Sequence, residues 1–220
     1  MPLVICSKST RSEVEFIASE LGILEPFIVE NGGAILIPAG YFPFPIGAAR
    51  REGIHEVIRL GLPYAEVVAG LRRAAEASGC RIRGFYDMSA GEVAEALGID
   101  RKQAARAKQR EWDELFEPFA ANPTGISSLL EHIGKEGLSW TREGRFYRAR
   151  GRHNKGQAAQ IVADLYRRLY QEEIVTVGIA YGPYDLSLFE RVDVPIMLRP
   201  AEQRWSDAIL ELLQRSEASK

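Results

Sequence analysis

Two short apolar runs, one near each end of the 220-residue sequence, most constrain what this chain can fold into. Residues 3–6 (Leu-Val-Ile-Cys) and 174–180 (Ile-Val-Thr-Val-Gly-Ile-Ala) contain no charged residue, and each is followed by a polar loop and a helix pattern. Uninterrupted apolar runs of this length are typical of strands that a parallel sheet buries on both faces. The sequence therefore predicts an α/β fold with a doubly wound, Rossmann-like core assembled from both ends of the chain.

The N-terminal segment continues this pattern. Thr10 and Glu13 have the spacing of a capping box, which predicts the start of a helix directly after the first polar loop. Residues 27–29 and 34–37 are two further short apolar strands, and they flank residues 30–33, Glu-Asn-Gly-Gly. Paired glycines permit a tight turn with positive φ, so we expect these strands to be joined closely.

The middle of the chain mixes strands and helices without the buried apolar strands of a parallel sheet. The predicted elements are a strand at 54–60, a helix at 64–78, a strand at 81–85, helices capped by Ser89 with Glu92 and by Asp100 with Gln103, and a hairpin at 138–149. This composition favours a small, open-faced α+β domain. We therefore expect a core domain of residues 1–42 and 150–220, interrupted by an inserted α+β cap of residues 43–149.

The C-terminal segment returns to the first pattern. Lys155 and Gly156 open a predicted helix, and the strand at 174–180 follows it. The last expected elements are a short helix at 185–191, a strand at 195–198 and an amphipathic terminal helix containing Trp205, Ile209, Leu212 and Leu213.

Composition excludes some classes of partner. The formal net charge is -2 and the sequence has no run of five or more basic residues, so no long-range field steers it onto nucleic acid or anionic lipid. No apolar stretch approaches the ~20 residues of a membrane span. The two cysteines, Cys6 and Cys80, are interpreted as ordinary reduced residues. We predict a cytoplasmic protein whose partner is a phosphorylated small molecule, with no nucleic-acid or membrane partner.

Three polar clusters follow predicted strands, where open parallel sheets bind their ligands. They are residues 7–11, 152–155 and 181–185. Together they offer the hydroxyl of Ser7, helix N-termini that attract anions, and the positive charge of Lys155. The alternative is that Ser7 merely caps a helix and that Lys155 is solvated.

Several stretches of the sequence resemble the mannosyl-3-phosphoglycerate phosphatase family of the haloacid dehalogenase superfamily. They are residues 5–11 (Ile-Cys-Ser-Lys-Ser-Thr-Arg), 27–34 (Phe-Ile-Val-Glu-Asn-Gly-Gly-Ala), 85–89 (Phe-Tyr-Asp-Met-Ser), 104–114 with Lys-Gln-Arg-Glu-Trp at 108–112, 144–147 (Gly-Arg-Phe-Tyr), Lys155-Gly156 and Asp185-Leu186. They occur in the family's order and extend over almost the whole chain. The stretches at 30–33 and 109–111 are fairly specific, whereas a lone Ser7 or Lys155 is not.

The resemblance implies a function and a set of site residues. The family transfers a phosphoryl group to an aspartate and then hydrolyses it, with Mg²⁺ neutralising charge. By resemblance, Ser7 holds the phosphoryl group and Lys155 stabilises its charge, whereas Asp185 is a metal ligand. The positions that match the surroundings of the substrate are Asn31, Gly32, Gln109, Arg110 and His153, and a planar arginine fork suits a carboxylate. Residues 43–149 would be a lid that excludes water.

Two departures from the family pattern bear on catalysis. The family's nucleophile lies in an Asp-x-Asp-Gly-Thr stretch on the first strand, and no such stretch occurs in these 220 residues. In the acidic loop, Tyr181 and Tyr184 stand where the family has the main metal carboxylate and an asparagine; Asp185 alone remains. One carboxylate is a poor anchor for Mg²⁺.

These departures leave alternatives open. The family's first strand lies between the strands of Val4 and Val177, so residues before Met1, a closed-up sheet or a strand from another chain are all possible solutions. The leading function is Mg²⁺-dependent removal of phosphate from mannosyl-3-phosphoglycerate, with catalysis lost in the sequence as it stands. The alternative is a non-catalytic relative that binds a phosphorylated sugar acid or regulates an intact partner, and a decayed gene product is a third reading.

Overall fold

The computed structural model describes residues 1–119, 123–182 and 185–198. Tyr184 and the predicted terminal helix lie outside the described residues. The elements are β1 (Ile5–Cys6), α1 (Arg11–Leu21), β2 (Phe27–Val29), β3 (Ala34–Pro38), β4 (Arg50–Glu52), β5 (His55–Arg59), α2 (Tyr64–Ser78), β6 (Arg81–Gly84), α3 (Ala90–Leu97), α4 (Arg101–Ala107), β7 (Asp113–Phe119), α5 (Pro123–Lys135), β8 (Ser139–Glu143), β9 (Phe146–Arg150), α6 (Lys155–Tyr170), β10 (Val177–Ala180), α7 (Leu186–Phe189) and β11 (Val194–Met197). The chain divides into two compact units, residues 1–153 and 154–220.

The first unit contains a five-stranded sheet with the strand order β1-β2-β3-β5-β4. β1 and β2 are parallel, as expected for an α/β core, and the other pairs are antiparallel. Helix α1 is fixed at both ends by its sequence, because Thr10 and Glu13 form the predicted capping box and Gly22 closes the helix in the left-handed conformation. The core of this sheet consists of Val14, Phe27, Val29, Ala34, Leu36, Val57 and Trp112.

The same unit contains a second sheet, which is four-stranded and antiparallel and has the strand order β6-β7-β9-β8. Because side chains alternate along a strand, Phe116 and Tyr147 face helices α2 and α5, whereas Leu115 and Phe146 pack against α3 and α4. The predicted open face of this domain is therefore partly covered. Its remaining part carries charged residues, among them Asp113 and Arg148, which are fully buried or nearly so.

The second unit contains α6, α7 and the parallel pair β10 and β11. The start of α6 packs tightly on α7, since a Cβ added at Gly156 would lie 1.9 Å from the carbonyl oxygen of Ser187. The strand predicted at 174–180 is shorter than expected, and β10 alternates between buried and half-buried residues instead of being buried on both faces. Within the described residues β10 pairs with β11 alone, and no strand of the described part pairs with the other edge of β10.

The structure adds three elements that the sequence did not indicate, namely β4, β7 and α5. It also places β4 and β5 in the sheet of β1–β3, so that residues 50–59 lie with the first sheet and not with the cap elements. The predicted bounds of the core and the cap stay a prediction. The movement of residues 43–149 as a lid stays a prediction. None of the helices in the described part of the chain has the length and apolarity needed to span a bilayer.

Candidate functional site

The loop of residues 7–10, here called the Ser7 loop, leaves the carboxyl end of β1. The Ser7 N–H donates to the carbonyl of Ile28 over 2.9 Å, which continues the β1–β2 pairing for one more residue. The Ser7 hydroxyl oxygen accepts the N–H of Ser9 at 3.1 Å. Thr10 then caps α1. The first helix N-terminus therefore follows the Ser7 loop, and its capping residue is Thr10, as predicted, and not Ser7.

The turn between β2 and β3 lies against this loop. Asn31 has a φ of 59° and Gly32 a φ of 92°, so this turn uses the left-handed region that the glycine-rich sequence predicted. The Asn31 N–H donates to the Ser7 carbonyl over 3.0 Å, and the Glu30 N–H donates to the Ser9 carbonyl, also over 3.0 Å. The structure thus brings Asn31 and Gly32 next to Ser7.

The side chain of Glu30 anchors the segment that contains Gln109 and Arg110. Its carboxylate is fully buried and accepts the backbone N–H groups of Glu111, Trp112 and Asp113 at 2.8–3.2 Å. Burial and the nearby Asp113 carboxylate raise the pKa of Glu30 to about 7. The Glu30 side chain therefore holds the 109–113 segment in place. The resemblance to the family did not indicate this structural role.

Arg110 is buried, with 7% of its surface exposed. Its guanidinium donates to the Asp113 carboxylate, to the Ala107 carbonyl at 3.2 Å and to the Lys8 carbonyl at 3.0 Å. The arginine fork thus binds a carboxylate of the protein itself, and its predicted contact with substrate stays a prediction. Gln109 and Arg110 do line a surface cleft of about 530 Å³, together with Arg11, Ser12, Glu15 and Glu111.

His153 is buried and contacts the same turn. Its Nε2 lies 3.2 Å from the Glu30 carbonyl, which assigns the proton to Nε2. Burial and the positive charge of Arg150 lower the pKa of His153 to about 4, so the ring is neutral near pH 7. Nδ1 packs against Gly61, where an added Cβ would lie 3.0 Å away. These contacts give His153 a packing role, and its predicted contact with substrate stays a prediction.

In the second unit, Lys155 and Asp185 form an ion pair. Lys155 is the first residue of α6, which Asn154 caps by accepting the Gln157 N–H at 2.9 Å. The Lys155 ammonium lies 2.5 Å from Asp185 Oδ1, and both side chains are largely buried. The predicted clusters at 152–155 and 181–185 are therefore joined through these two side chains.

The donor set does not fit the magnesium ion that the resemblance implies. Among residues 1–119, 123–182 and 185–198, no group of three or more His, Cys, Asp or Glu side chains could hold a metal ion. Asp185 already neutralises Lys155. Tyr181, which the resemblance aligns with the family's main metal carboxylate, is 45% exposed. A neutral phenol does not replace a carboxylate as a ligand for Mg²⁺.

No protein-family model matches the sequence. Curated proteins do. A glucosyl-3-phosphoglycerate/mannosyl-3-phosphoglycerate phosphatase of Persephonella marina is 34% identical over 218 residues, covering 99% of this chain and 79% of the relative. A protein of the same name from Methanococcoides burtonii is 31% identical over 210 residues, with 96% and 76% covered. The mannosyl-3-phosphoglycerate phosphatase of Pyrococcus horikoshii is 30% identical over 218 residues, with 99% and 86% covered.

This chain belongs to the mannosyl-3-phosphoglycerate phosphatase family. Solved structures agree at the level of the fold. A haloacid dehalogenase-like hydrolase from Bacteroides thetaiotaomicron superposes with a TM-score of 0.59 at 14% identity, over 96% of this chain and 86% of that one. One from B. subtilis gives a TM-score of 0.53 at 13% identity, over 89% and 76%. The predicted haloacid dehalogenase-like core with an α+β cap is confirmed.

For a member of the mannosyl-3-phosphoglycerate phosphatase family, the structure adds residues that sequence reasoning missed. Asp113, Glu143 and Arg148 form buried ion pairs next to the Ser7 loop. Their signal in the sequence was weak. Asp113 and Leu115 are two residues apart and so share one face of β7, and Phe146 and Arg148 share one face of β9 in the same way. This spacing was not recognised in β7, because acidic residues are unfavourable in strands.

Proposed function

We propose that this chain recognises phosphorylated sugar acids of the mannosyl-3-phosphoglycerate class and serves in their dephosphorylation. The observation that carries the proposal is the similarity to phosphatases of this name, at 30–34% identity over 96–99% of the chain. The position of Ser7, at the end of β1 and directly before α1, supports it independently, because that is where anions bind in α/β folds.

Ser7 is suited to the role of a phosphoryl ligand. Its oxygen accepts the Ser9 N–H, so the hydroxyl hydrogen can donate to a phosphoryl oxygen. Lys155 carries the positive charge that the family role requires, and in this structure Asp185 is the anion that it binds. We propose that a phosphoryl oxygen takes the place of that carboxylate when substrate binds.

Hydrolysis by the family's chemistry needs more than these groups. An aspartate oxygen must bond to phosphorus while the bond to the sugar-acid oxygen breaks, and water must then cleave the aspartyl phosphate. The 220 residues contain no Asp-x-Asp-Gly-Thr stretch, so turnover by that route needs a nucleophile that this sequence does not supply. Cleft residues such as Gln109 would contribute to binding in either case.

A second candidate function is binding without turnover, either as a sensor of the sugar acid or as a regulator of an intact partner. Two features favour this candidate. Asp185, the predicted metal ligand, is paired with Lys155, and a tyrosine stands at position 181, where the resemblance implies a metal-binding carboxylate. A cytoplasmic location and the use of Mg²⁺ remain predictions.

Phosphate release separates the two candidates. The purified 220-residue chain is incubated with mannosyl-3-phosphoglycerate and, separately, with its glucosyl counterpart, with and without Mg²⁺. Mg²⁺-dependent release that Lys155→Met abolishes would establish the phosphatase. Saturable binding without release would establish the second candidate. Absence of both binding and release would contradict the proposal.

A further inference from the structure

Asp113 is the centre of a buried ion cluster that no role in substrate binding requires. Its side chain is fully buried between two guanidinium groups, with Arg110 Nε donating to Oδ1 and Arg148 Nη1 donating to Oδ2 at 2.7 Å. Burial alone would raise the pKa of Asp113, but the two arginines outweigh it and hold the carboxyl ionised. We call Arg110, Arg148 and Asp113 the arginine clamp.

The clamp acts on one atom of the Ser7 loop. Arg110 Nη2 donates to the Lys8 carbonyl at 3.0 Å, and Arg148 Nη1 donates to the same oxygen at 3.4 Å. The Lys8 side chain is also held, because its ammonium lies 2.7 Å from Glu143 Oε2 while Arg148 Nε lies 2.7 Å from Glu143 Oε1. An arginine from the loop between α4 and β7 and an arginine from β9 therefore converge on this carbonyl.

The direction of the Lys8 carbonyl determines the direction of the next N–H. In a trans peptide the C=O of one residue and the N–H of the following residue point in opposite directions, and no cis bond occurs in the described residues. The Ser9 N–H therefore points away from the clamp. It donates to the Ser7 hydroxyl oxygen at 3.1 Å.

We infer that Asp113, Arg110 and Arg148 are positioning residues that orient the Ser7 hydroxyl through the Lys8–Ser9 peptide. The path runs from the carboxylate through the two guanidiniums to the Lys8 carbonyl, and from the Ser9 N–H to Ser7 Oγ. This inference rests on the proposed phosphoryl role of Ser7. It also reassigns Arg110, from a ligand of the substrate to a support of the loop that binds it.

A merely stabilising ion cluster is the competing explanation. Buried ion pairs are weak evidence for stability, since desolvation offsets much of their attraction. The neighbouring carbonyls argue for positioning. Ser7 O accepts the Asn31 N–H and Ser9 O accepts the Glu30 N–H, so with the clamp on Lys8 O three consecutive carbonyls are fixed from outside the loop.

Amide hydrogen exchange in the unliganded protein tests the clamp without substrate. Arg148→Lys and Arg110→Lys keep the charge beside Asp113 but remove the fork that reaches Lys8. Each variant is expected to speed exchange of the Ser9 amide by about tenfold or more, because its bond to Ser7 loosens. The Phe85 amide, which bonds to Leu115 in the cap sheet, serves as the internal control and should not change.

Arg145→Lys is the matched control variant, because Arg145 is exposed on the same hairpin and bonds to Ala96. Glu143→Gln is a milder variant that weakens the ion pairs of Glu143 with Arg148 and with Lys8. If the arginine variants do not fold, Ser9 exchange is measured in this variant instead. Unchanged Ser9 exchange in the folded variants would overturn the clamp.

Binding of inorganic phosphate is measured on the same samples. If the clamp and the proposed function both hold, Arg148→Lys weakens phosphate binding by about tenfold, roughly 1.4 kcal/mol. Faster Ser9 exchange in a protein that binds no phosphate, wild type included, would support the clamp and contradict the anion role of Ser7. The two failures are therefore distinguishable.

Discussion

The ammonium group of Lys155 lies 2.5 Å from the carboxylate of Asp185, within the second unit of the chain. The family resemblance predicts that this carboxylate is a metal ligand and that the lysine binds the phosphoryl group. Here the two groups satisfy each other. An anion that binds Lys155 must therefore compete with Asp185.

Asp185→Asn is expected to tighten the binding of inorganic phosphate by about three- to tenfold, because Lys155 loses its ionic competitor. Lys155→Met is expected to weaken phosphate binding. Asp164→Asn is the control, since Asp164 is exposed on α6 and pairs with Arg167. Calorimetric titration with phosphate measures all three variants. Weaker binding by Asp185→Asn would show that the carboxylate supports anion binding, as in a metal-dependent site.

Ser7→Ala tests the hydroxyl itself. The Ser9 N–H loses its acceptor, so the free energy of unfolding should fall by about 1 kcal/mol, and phosphate binding should weaken by about tenfold. Ser19→Ala, at an exposed position of α1, should leave both quantities unchanged. Urea unfolding and phosphate titration are the measurements. Unaltered phosphate affinity in a folded Ser7→Ala protein would remove Ser7 from the binding site.

Gly33→Ala tests the close approach of the β2–β3 turn to the 109–113 segment. The added Cβ would lie 2.6 Å from Trp112 Cβ, and the Trp112 backbone cannot retreat freely because its N–H bonds to Glu30. We expect a loss of about 1–3 kcal/mol in the free energy of unfolding. Gly47→Ala has open space around its Cβ and should change stability by less than about 0.5 kcal/mol.

The pH dependence of stability should reveal Glu114. This carboxyl is almost fully buried and accepts the Tyr64 hydroxyl at 2.6 Å and the Tyr86 N–H at 3.0 Å. Burial raises its pKa to about 7, although these hydrogen bonds oppose the shift. The carboxyl therefore keeps its proton up to a pH of about 7 in the folded state, whereas it loses the proton near pH 4.5 in the unfolded state. The contribution of protonated Glu114 to stability is complete below pH 4.5 and is lost as the pH rises through about 7.

Glu114→Gln removes this titration. The difference in unfolding free energy between wild type and variant should change by about 1–3 kcal/mol between pH 5 and pH 8. The wild type should be less stable, relative to the variant, at pH 8 than at pH 5. Comparing the two proteins cancels the opposing contribution of His153, which titrates in both. Glu76→Gln, at an exposed site on α2, is the control. A difference independent of pH would contradict the raised pKa.

Local chemistry made much of this fold predictable. Capping boxes are complete within four residues, so those at Thr10, Ser89 and Asp100 were all confirmed. The turn at residues 30–33 was confirmed for the same reason. Strand β7 was missed because Asp113, Glu114 and Pro118 are unfavourable in strands, and partners distant in sequence stabilise the two acidic residues.

The candidate site was harder to predict, because its partners come from distant parts of the chain. Arg110 was predicted to bind a substrate carboxylate, which stays a prediction, and only the fold shows that it pairs with Asp113. His153 lies in a loop, as expected, but it is buried against Glu30 and Gly61, which the sequence did not indicate. Sequence identifies side chains capable of binding an anion, whereas tertiary contacts determine which of them remain available.

We expect this chain to bind a phosphorylated sugar acid. Isothermal titration of the 220-residue chain with mannosyl-3-phosphoglycerate, in the presence of a metal chelator, tests it most directly. We predict saturable heat that disappears in a folded Ser7→Ala, Lys155→Met double variant. No heat at high ligand from folded wild-type protein, or equal heat from the double variant, would contradict it.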